Sequence, residues 1–208
     1  MALLNLLFDL GGVISDIERA RCVAAYTELG MTVADELLGE YVQAGPFLRV
    51  EDGSMTVPQF RAALRPYLRP DVTDRQIDDA FCAFIIGIPR HRLCALEQLH
   101  KRYRIYMLSN TNPIMWNSVH RDNFTIDGHD RDYYFDGCVT SFEAGCVKPD
   151  PRIFRLVTER FGIKPEETLF FDDGQSNIDA AARLGFQTHL VTPGTEFIDY
   201  FNQLPAEQ

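Results

Sequence analysis

Acidic, hydroxyl and amide side chains recur in this chain directly after short apolar runs, and those are the positions where chemistry is to be sought. Asp9 follows the run at residues 3–8 and precedes Gly11 and Gly12. Two glycines let backbone N–H groups approach an anion without a Cβ in the way, so a carboxylate there can serve as a nucleophile. An Asp after a strand is also an ordinary turn former or helix N-cap. A second run, 104–108, leads into Ser109, Asn110, Thr111 and Asn112. Their hydroxyls and amides suit hydrogen bonds to phosphate oxygens, and Thr111 or Asn112 equally suits a helix cap. A third run, 168–171, ends at Asp172, Asp173 and Gly174, with Asn177 placed to cap or brace the helix that follows. Adjacent carboxylates repel one another unless a cation lies between them and Asp9, and magnesium accepts carboxylates, waters and a phosphate oxygen. Lys148, before Pro149, offers an ammonium against phosphate charge, or simply a solvated lysine ahead of a proline-started helix.

The elements that must position these groups follow from the hydrophobic pattern. Runs at 3–8, 104–108, 137–141, 168–171 and 187–191 read as strands, with helical patterns at 89–103, 150–161 and 175–185 between them. Strands alternating with helices of that length imply a parallel sheet whose ligand sites lie at the carboxyl ends of the strands, so the polar clusters meet at one edge. The stretch 17–88 lacks strand signals and reads as helices at 17–30, 33–44, 56–68 and 73–85. It is expected to be a helical insertion, or cap, between the first strand and the rest of the sheet.

Thirty acidic against twenty basic residues give a net charge of −10, which argues against a nucleic-acid partner while leaving a small phosphate ester open, because a metal ion and a few cationic or N–H groups can dominate the local field. Five cysteines without a CxxC pair are expected to be reduced core thiols. Asp9 interrupts the amino-terminal apolar run well short of a spanning length, so no membrane association and a cytoplasmic address are expected. The five histidines fall at no metal-ligand spacing and are expected at the surface or at helix ends. The polar and aromatic stretch 122–134 reads as a surface loop, and Arg49 as a solvated residue of the insertion.

The order and spacing of the clusters carry more than any one of them. An Asp after the first strand, Ser-Asn after a middle strand, Lys-Pro some forty residues on and paired acids after the next strand resemble the four motifs of the haloacid dehalogenase-like hydrolases, over nearly the whole chain. Within that superfamily the chain is most similar to the branch containing the bacterial α-D-glucose-1-phosphate phosphatase, including Phe47, Glu51, Gly53 and Phe60 in the insertion. The resemblance implies an α/β fold, a Rossmann-like parallel sheet core of residues 1–16 and 89–208 with a helical cap of 17–88. It implies a magnesium-dependent phosphatase acting on a small phosphorylated metabolite, a sugar phosphate such as a sugar 1-phosphate, through an aspartyl-phosphate intermediate. Asp9 would be nucleophile and metal ligand, the Gly11 carbonyl and Asp173 further ligands, and Asp172 a neighbouring metal-site carboxylate oriented by Asn177. Ser109, Asn110 and the Gly11–Gly12 backbone would bind the phosphoryl group, and Lys148 would screen its charge.

One position departs from that pattern. Most phosphatases of the superfamily carry a second Asp two residues after the nucleophile, which protonates the leaving alcohol, and here Gly11 stands in its place. A general acid is worth roughly 10²–10⁴-fold in rate, so something must substitute. Asp16, Glu51 from the cap, or a leaving group acidic enough to need little help are the candidates, and a phosphate-binding protein without turnover is the non-catalytic alternative. Metal-free haloacid dehalogenation uses the same Asp but is opposed by the bare pair Asp172 and Asp173. Phosphoglucomutase chemistry is opposed by the missing acid.

Overall fold

Strand formation follows the apolar runs closely. The computed structural model describes residues 3–39, 43–125 and 128–202. In chain order the elements are β1 (Asn5–Phe8), β2 (Asp16–Ile17), α1 (Arg19–Glu28), α2 (Ala34–Leu37), α3 (Gly45–Glu51), α4 (Val57–Leu64), α5 (Asp74–Cys82), β3 (Ile85–Gly87), α6 (Arg90–His100) and β4 (Arg104–Ser109). They continue with α7 (Pro113–Asn117), α8 (Val119–Phe124), α9 (Arg131–Tyr134), β5 (Gly137–Thr140), α10 (Ser141–Ala144), α11 (Pro151–Phe161), β6 (Thr168–Asp172), α12 (Gln175–Arg183), β7 (Gln187–Leu190) and α13 (Phe197–Asn202).

Five strands form one parallel sheet in the order β5-β4-β1-β6-β7. Its central strands are apolar on both faces because helices cover both, and the alternation is explicit. Leu6, Phe8, Ile105, Met107, Leu169 and Phe171 belong to one apolar cluster. Leu7, Tyr106, Leu108 and Phe170 belong to the cluster on the opposite face. The register sets Phe8 beside both Met107 and Phe171. Asp9 therefore emerges level with Asp172, and its N–H donates to the Phe171 carbonyl at 2.9 Å.

Between β2 and β3 the chain builds a third apolar cluster of its own, in α1 to α5. Tyr26, Phe47, Phe60 and Phe81 pack in a chain of rings 5.2–5.3 Å apart, with Ile114 and Met115 of α7 joining the same cluster from beside the sheet. Each such fully buried ring contributes roughly 1.5–3 kcal/mol over leaving it exposed. Helices α4 and α5 each start with a reciprocal capping box, Thr56 with Gln59 and Thr73 with Gln76.

Several sequence expectations are corrected here. The 17–88 stretch does contain strand: β2 and β3 pair antiparallel, Asp16 opposite Gly87, in a short ribbon at the two ends of the helical segment. Strands of two and three residues carry no period to read, and their pairing partners lie some 70 residues apart. The helix expected over 33–44 is only Ala34–Leu37, with residues 40–42 outside the described residues, and α3 begins afresh at Gly45–Pro46. The expected surface loop at 122–134 instead contributes Phe124 and Tyr134, both fully buried. Residues 126 and 127 of that stretch lie outside the described residues. All five cysteines are free, but Cys94 is exposed rather than in the core. No helix of the described residues is long and apolar enough to cross a membrane.

Candidate active site

Three carboxylates from two neighbouring strands converge at the carboxyl edge of the sheet. One oxygen from each of Asp9, Asp172 and Asp173 lies within 4.8 Å of the others. Lys148, fully buried, reaches from the loop before α11 and sits between two of them, its Nζ 2.7 Å from Asp9 Oδ1 and 2.6 Å from Asp172 Oδ2.

Each side chain is held by a traceable contact. Asp9 Oδ1 also accepts from the Leu10 N–H at 2.7 Å, and its other oxygen has no donor among the described residues. Asp172 accepts from the Gly174 N–H at 2.8 Å and from Asn177 Nδ2 at 2.9 Å, both on Oδ1. With Lys148 on Oδ2, both Asp172 oxygens are engaged and its orientation is fixed. Asn177 thus meets Asp172, as the sequence comparison implied.

Gly12 works differently from the expectation. Its N–H is spent on the Ser15 carbonyl at 2.9 Å, so it is not offered to an anion. What Gly12 supplies is space: at φ +74° a Cβ there would stand 2.3 Å from Asp173 Oδ2. The tight turn after Asp9 is what lets the Asp173 carboxylate approach.

Asn110 likewise has a different job. Its Nδ2 donates to the Lys148 carbonyl at 3.1 Å and its Oδ1 accepts from the Lys148 N–H at 2.7 Å. Both ends of the amide clamp the lysine backbone, so the side chain positions Lys148, while Asn110 itself lines the cavity. Asn112 caps α7, accepting from the N–H groups of Ile114 and Met115. Ser141, which the sequence reading missed, exchanges hydrogen bonds with the Thr111 N–H at 3.0 Å and carbonyl at 2.9 Å, and pins the loop that follows Ser109. No local pattern marks Ser141, because its partner lies thirty residues away, in the loop after β4.

Electrostatics follow from burial. Burial pushes the Asp9 carboxyl up to about 8, with Lys148 pulling down and Asp172 and Asp173 pushing further up. Burial alone would lower Lys148, but the two carboxylates outweigh it and hold the ammonium charged. With all three carboxylates ionised, three negative charges less one ammonium leave −2, the charge that one divalent cation cancels, and a cation there would pull the raised Asp9 carboxyl back down. Carboxylate oxygens within 4.8 Å of one another are near enough to be gathered around one divalent cation. The donor set, all oxygen, fits a hard cation, and Gly11 lines the cavity beside it.

That cavity, about 90 Å³, is lined on the sheet side by Asp9, Ser109, Thr111, Lys148, Asp173 and His120, and on the helical side by Gln43, Glu51, Phe81 and Phe84. His120 contradicts the surface placement expected for the histidines. It is buried, its Nδ1 finds no partner, and burial with Arg131 nearby pushes it down to about 3, so it is a neutral imidazole. Its position depends on how α8 packs, which periodicity does not reveal.

The family profile described as haloacid dehalogenase-like hydrolase matches residues 5–185, a span that holds Asp9, Ser109, Asn110, Lys148, Asp172 and Asp173. The chain belongs to the haloacid dehalogenase-like hydrolases. It is 35% identical over 193 residues, 93% of this chain and 94% of the other, to the D-ribitol-5-phosphate phosphatase of Bacteroides thetaiotaomicron. A crystal structure of a haloacid dehalogenase-family enzyme from that bacterium, an aspartate-to-alanine variant in complex with magnesium and inorganic phosphate, superposes with a TM-score of 0.92 at 36% identity, covering 96% of this chain and 99% of the other. The L-2-haloacid dehalogenase of Xanthobacter autotrophicus shares the fold alone, at a TM-score of 0.61 and 20% identity over 91% of this chain and 77% of the other.

Proposed function

We propose that this hydrolase is a magnesium-dependent phosphatase of small polyhydroxylated phosphate monoesters, sugar or sugar-alcohol phosphates, working through an aspartyl-phosphate on Asp9. The observation that carries the reading is the Asp9 carboxylate, held through one oxygen by Lys148 and Leu10 with the other oxygen undonated, beside a second and third carboxylate. Asp9, Asp173 and the Gly11 carbonyl would hold magnesium, with Asp172 beside them. Bound there, the ion supplies charge neutralisation and alignment of the phosphoryl oxygens. Lys148 holds Asp9 oriented and meets the charge spreading over the transferring group, and Ser109 donates its hydroxyl to a phosphoryl oxygen. Asp9 attacks phosphorus in line, and water then hydrolyses the aspartyl-phosphate. The dehalogenase alternative fares worse, because it would leave a buried charge of −2 uncompensated around an attacking anion.

Substrate class is read from unmet hydrogen bonds. Gln43 Oε1, Thr111 Oγ1 and His120 Nδ1 are buried and unpartnered, and all three residues line the cavity. Buried polar atoms cost free energy unless paired, and hydroxyls of a bound polyol would pair them. The magnesium and phosphate complex and the D-ribitol-5-phosphate activity named for the relatives support the same class. At roughly 10–15 Å³ per water-sized group, a cavity of about 90 Å³ holds a phosphate and a few further atoms, so a longer substrate enters by the segment 17–88 lifting as a cap from a core of 1–16 and 89–208. The free thiols suit a reducing compartment such as the cytoplasm.

The test is phosphate release from sugar 1-phosphates, pentitol 5-phosphates and hexose 6-phosphates, with magnesium and with excess EDTA, for the unaltered protein and Asp9→Asn. Release that needs magnesium and is lost in Asp9→Asn is expected. Magnesium and phosphate binding without release from any ester would sink the reading in favour of a phosphate-binding protein.

A further inference from the structure

The missing proton donor is a concrete gap. Gly11 stands where a carboxyl would deliver a proton to the leaving oxygen, and no crowding forces a glycine there, since a Cβ would only touch Ile17 at 3.5 Å. The leaving alkoxide must still receive a proton from some group facing the same space.

Among the described residues, the titratable ones lining the cavity are Asp9, Glu51, His120, Lys148 and Asp173. Asp9 and Asp173 belong to the carboxylate cluster, and Lys148 is bound to both Asp9 and Asp172. His120 is a neutral imidazole and carries no acid proton to give at ordinary pH. Asp16, the other acid considered from sequence, is drawn off to Arg92 Nη1 at 2.7 Å, and it lines a different depression. Glu51 differs from all of these. Its carboxyl makes no hydrogen bond or ion pair among the described residues, and it lies half-buried at the carboxyl end of α3, facing the site from the helical segment.

Its placement is built rather than incidental. Two residues on, Gly53 adopts φ +75° with its Cα packed so closely on the sheet domain that a Cβ would stand 2.2 Å from the Phe142 carbonyl oxygen. That contact docks the end of α3 against α10 and so sets Glu51 at a fixed height over the sheet edge. Phe81 and Phe84 line the same cavity and keep its surroundings apolar.

We propose that Glu51 is the general acid and base of the reaction, supplying across the cavity the proton that position 11 cannot. The assignment rests on the phosphatase reading above. When Asp9 attacks phosphorus, the ester P–O bond breaks, its electron pair goes to the leaving oxygen, and that oxygen takes the Glu51 proton. The resulting Glu51 carboxylate accepts a proton from the water that attacks the aspartyl-phosphate. Breaking that bond restores Asp9 as carboxylate and Glu51 as acid, with alcohol and inorganic phosphate released. Burial, with Asp52 adjacent, pushes the Glu51 carboxyl up to about 8, which keeps the proton on it at neutral pH.

The experiment compares Glu51→Gln and Lys148→Met with the unaltered protein on two esters, a pentitol phosphate and p-nitrophenyl phosphate. The nitrophenolate leaves without needing a proton, whereas the alkoxide does not. Glu51→Gln is expected to lose about 10²–10⁴-fold in kcat/KM on the pentitol ester while staying near the unaltered kcat/KM on the aryl ester, with kcat falling on both because hydrolysis of the aspartyl-phosphate is common to them. Lys148→Met is expected to lose both alike. Magnesium and phosphate binding by calorimetry, unchanged in Glu51→Gln, confirms that the variant's site is intact. Equal losses of kcat/KM on both esters, or no loss on either, overturn the assignment of Glu51 while leaving the phosphatase reading in place. No release from either ester by the unaltered protein overturns the phosphatase reading and the assignment with it.

Discussion

Removing the Glu51 charge while keeping its shape should make the protein more stable, and by an amount that depends on pH. Gln is close to isosteric with the protonated acid. The carboxyl has its ordinary value of 4.5 in the unfolded chain and about 8 in the folded one. A raised folded value means that the native state holds a proton that the unfolded state gives up between those pH values, so stability falls as pH rises through that window. The penalty is nearly absent below pH 4.5, grows between 4.5 and 8, and is fully developed above 8. At about 1.4 kcal/mol per pH unit, the change between pH 5 and pH 8 is at most about 3.5 kcal/mol, and a half-buried side chain that can swing toward water recovers part of it. Glu51→Gln should therefore gain about 2–3 kcal/mol more over the unaltered protein at pH 8 than at pH 5. Urea titrations of both proteins at the two pH values, in EDTA, give that difference of differences. Asp9, also raised, and any cost of placing a Gln amide in the cavity are common to the comparison and cancel. A gain that is the same at both pH values, or larger at pH 5, would refute the reasoning, because it would show that Glu51 ionises as freely folded as unfolded.

Gly12→Ala forces a Cβ to 2.3 Å from Asp173 Oδ2 at a left-handed backbone position, so magnesium affinity by calorimetry should fall at least about tenfold, with roughly 1–2 kcal/mol of backbone strain seen in denaturation. Asn110→Ala strips both hydrogen bonds from the Lys148 backbone and should lower kcat on alkyl and aryl esters alike, with a stability loss of about 1–3 kcal/mol; an effect on the alkyl ester alone would show that Asn110 does not act through Lys148. Gly53→Ala pushes α3 away from the Phe142 carbonyl and should reduce kcat/KM for a pentitol phosphate more than for p-nitrophenyl phosphate, measured side by side.

The sequence by itself determined the sheet and the carboxylate cluster at its edge. Short apolar runs buried on both faces specify strands, and a polar residue just past each run has one place to go, the carboxyl edge. That is why Asp9, Asp172, Asp173 and Ser109 were legible, and why Lys148, unremarkable alone, became readable through its spacing from the others. What the tertiary structure decided were the roles that depend on partners far away in the chain. Asn110 clamps the Lys148 backbone, Gly12 makes room for Asp173 rather than offering its N–H, and Ser141 holds the Thr111 loop, none of them signalled by a local pattern. His120 turned inward and Glu51 turned over the site because of how α8 packs and how α3 docks on α10, and packing between elements leaves no period in a single chain. A strand announces its own burial through its neighbours in sequence, whereas a side chain facing a cavity is set by surfaces that meet only after the chain has folded.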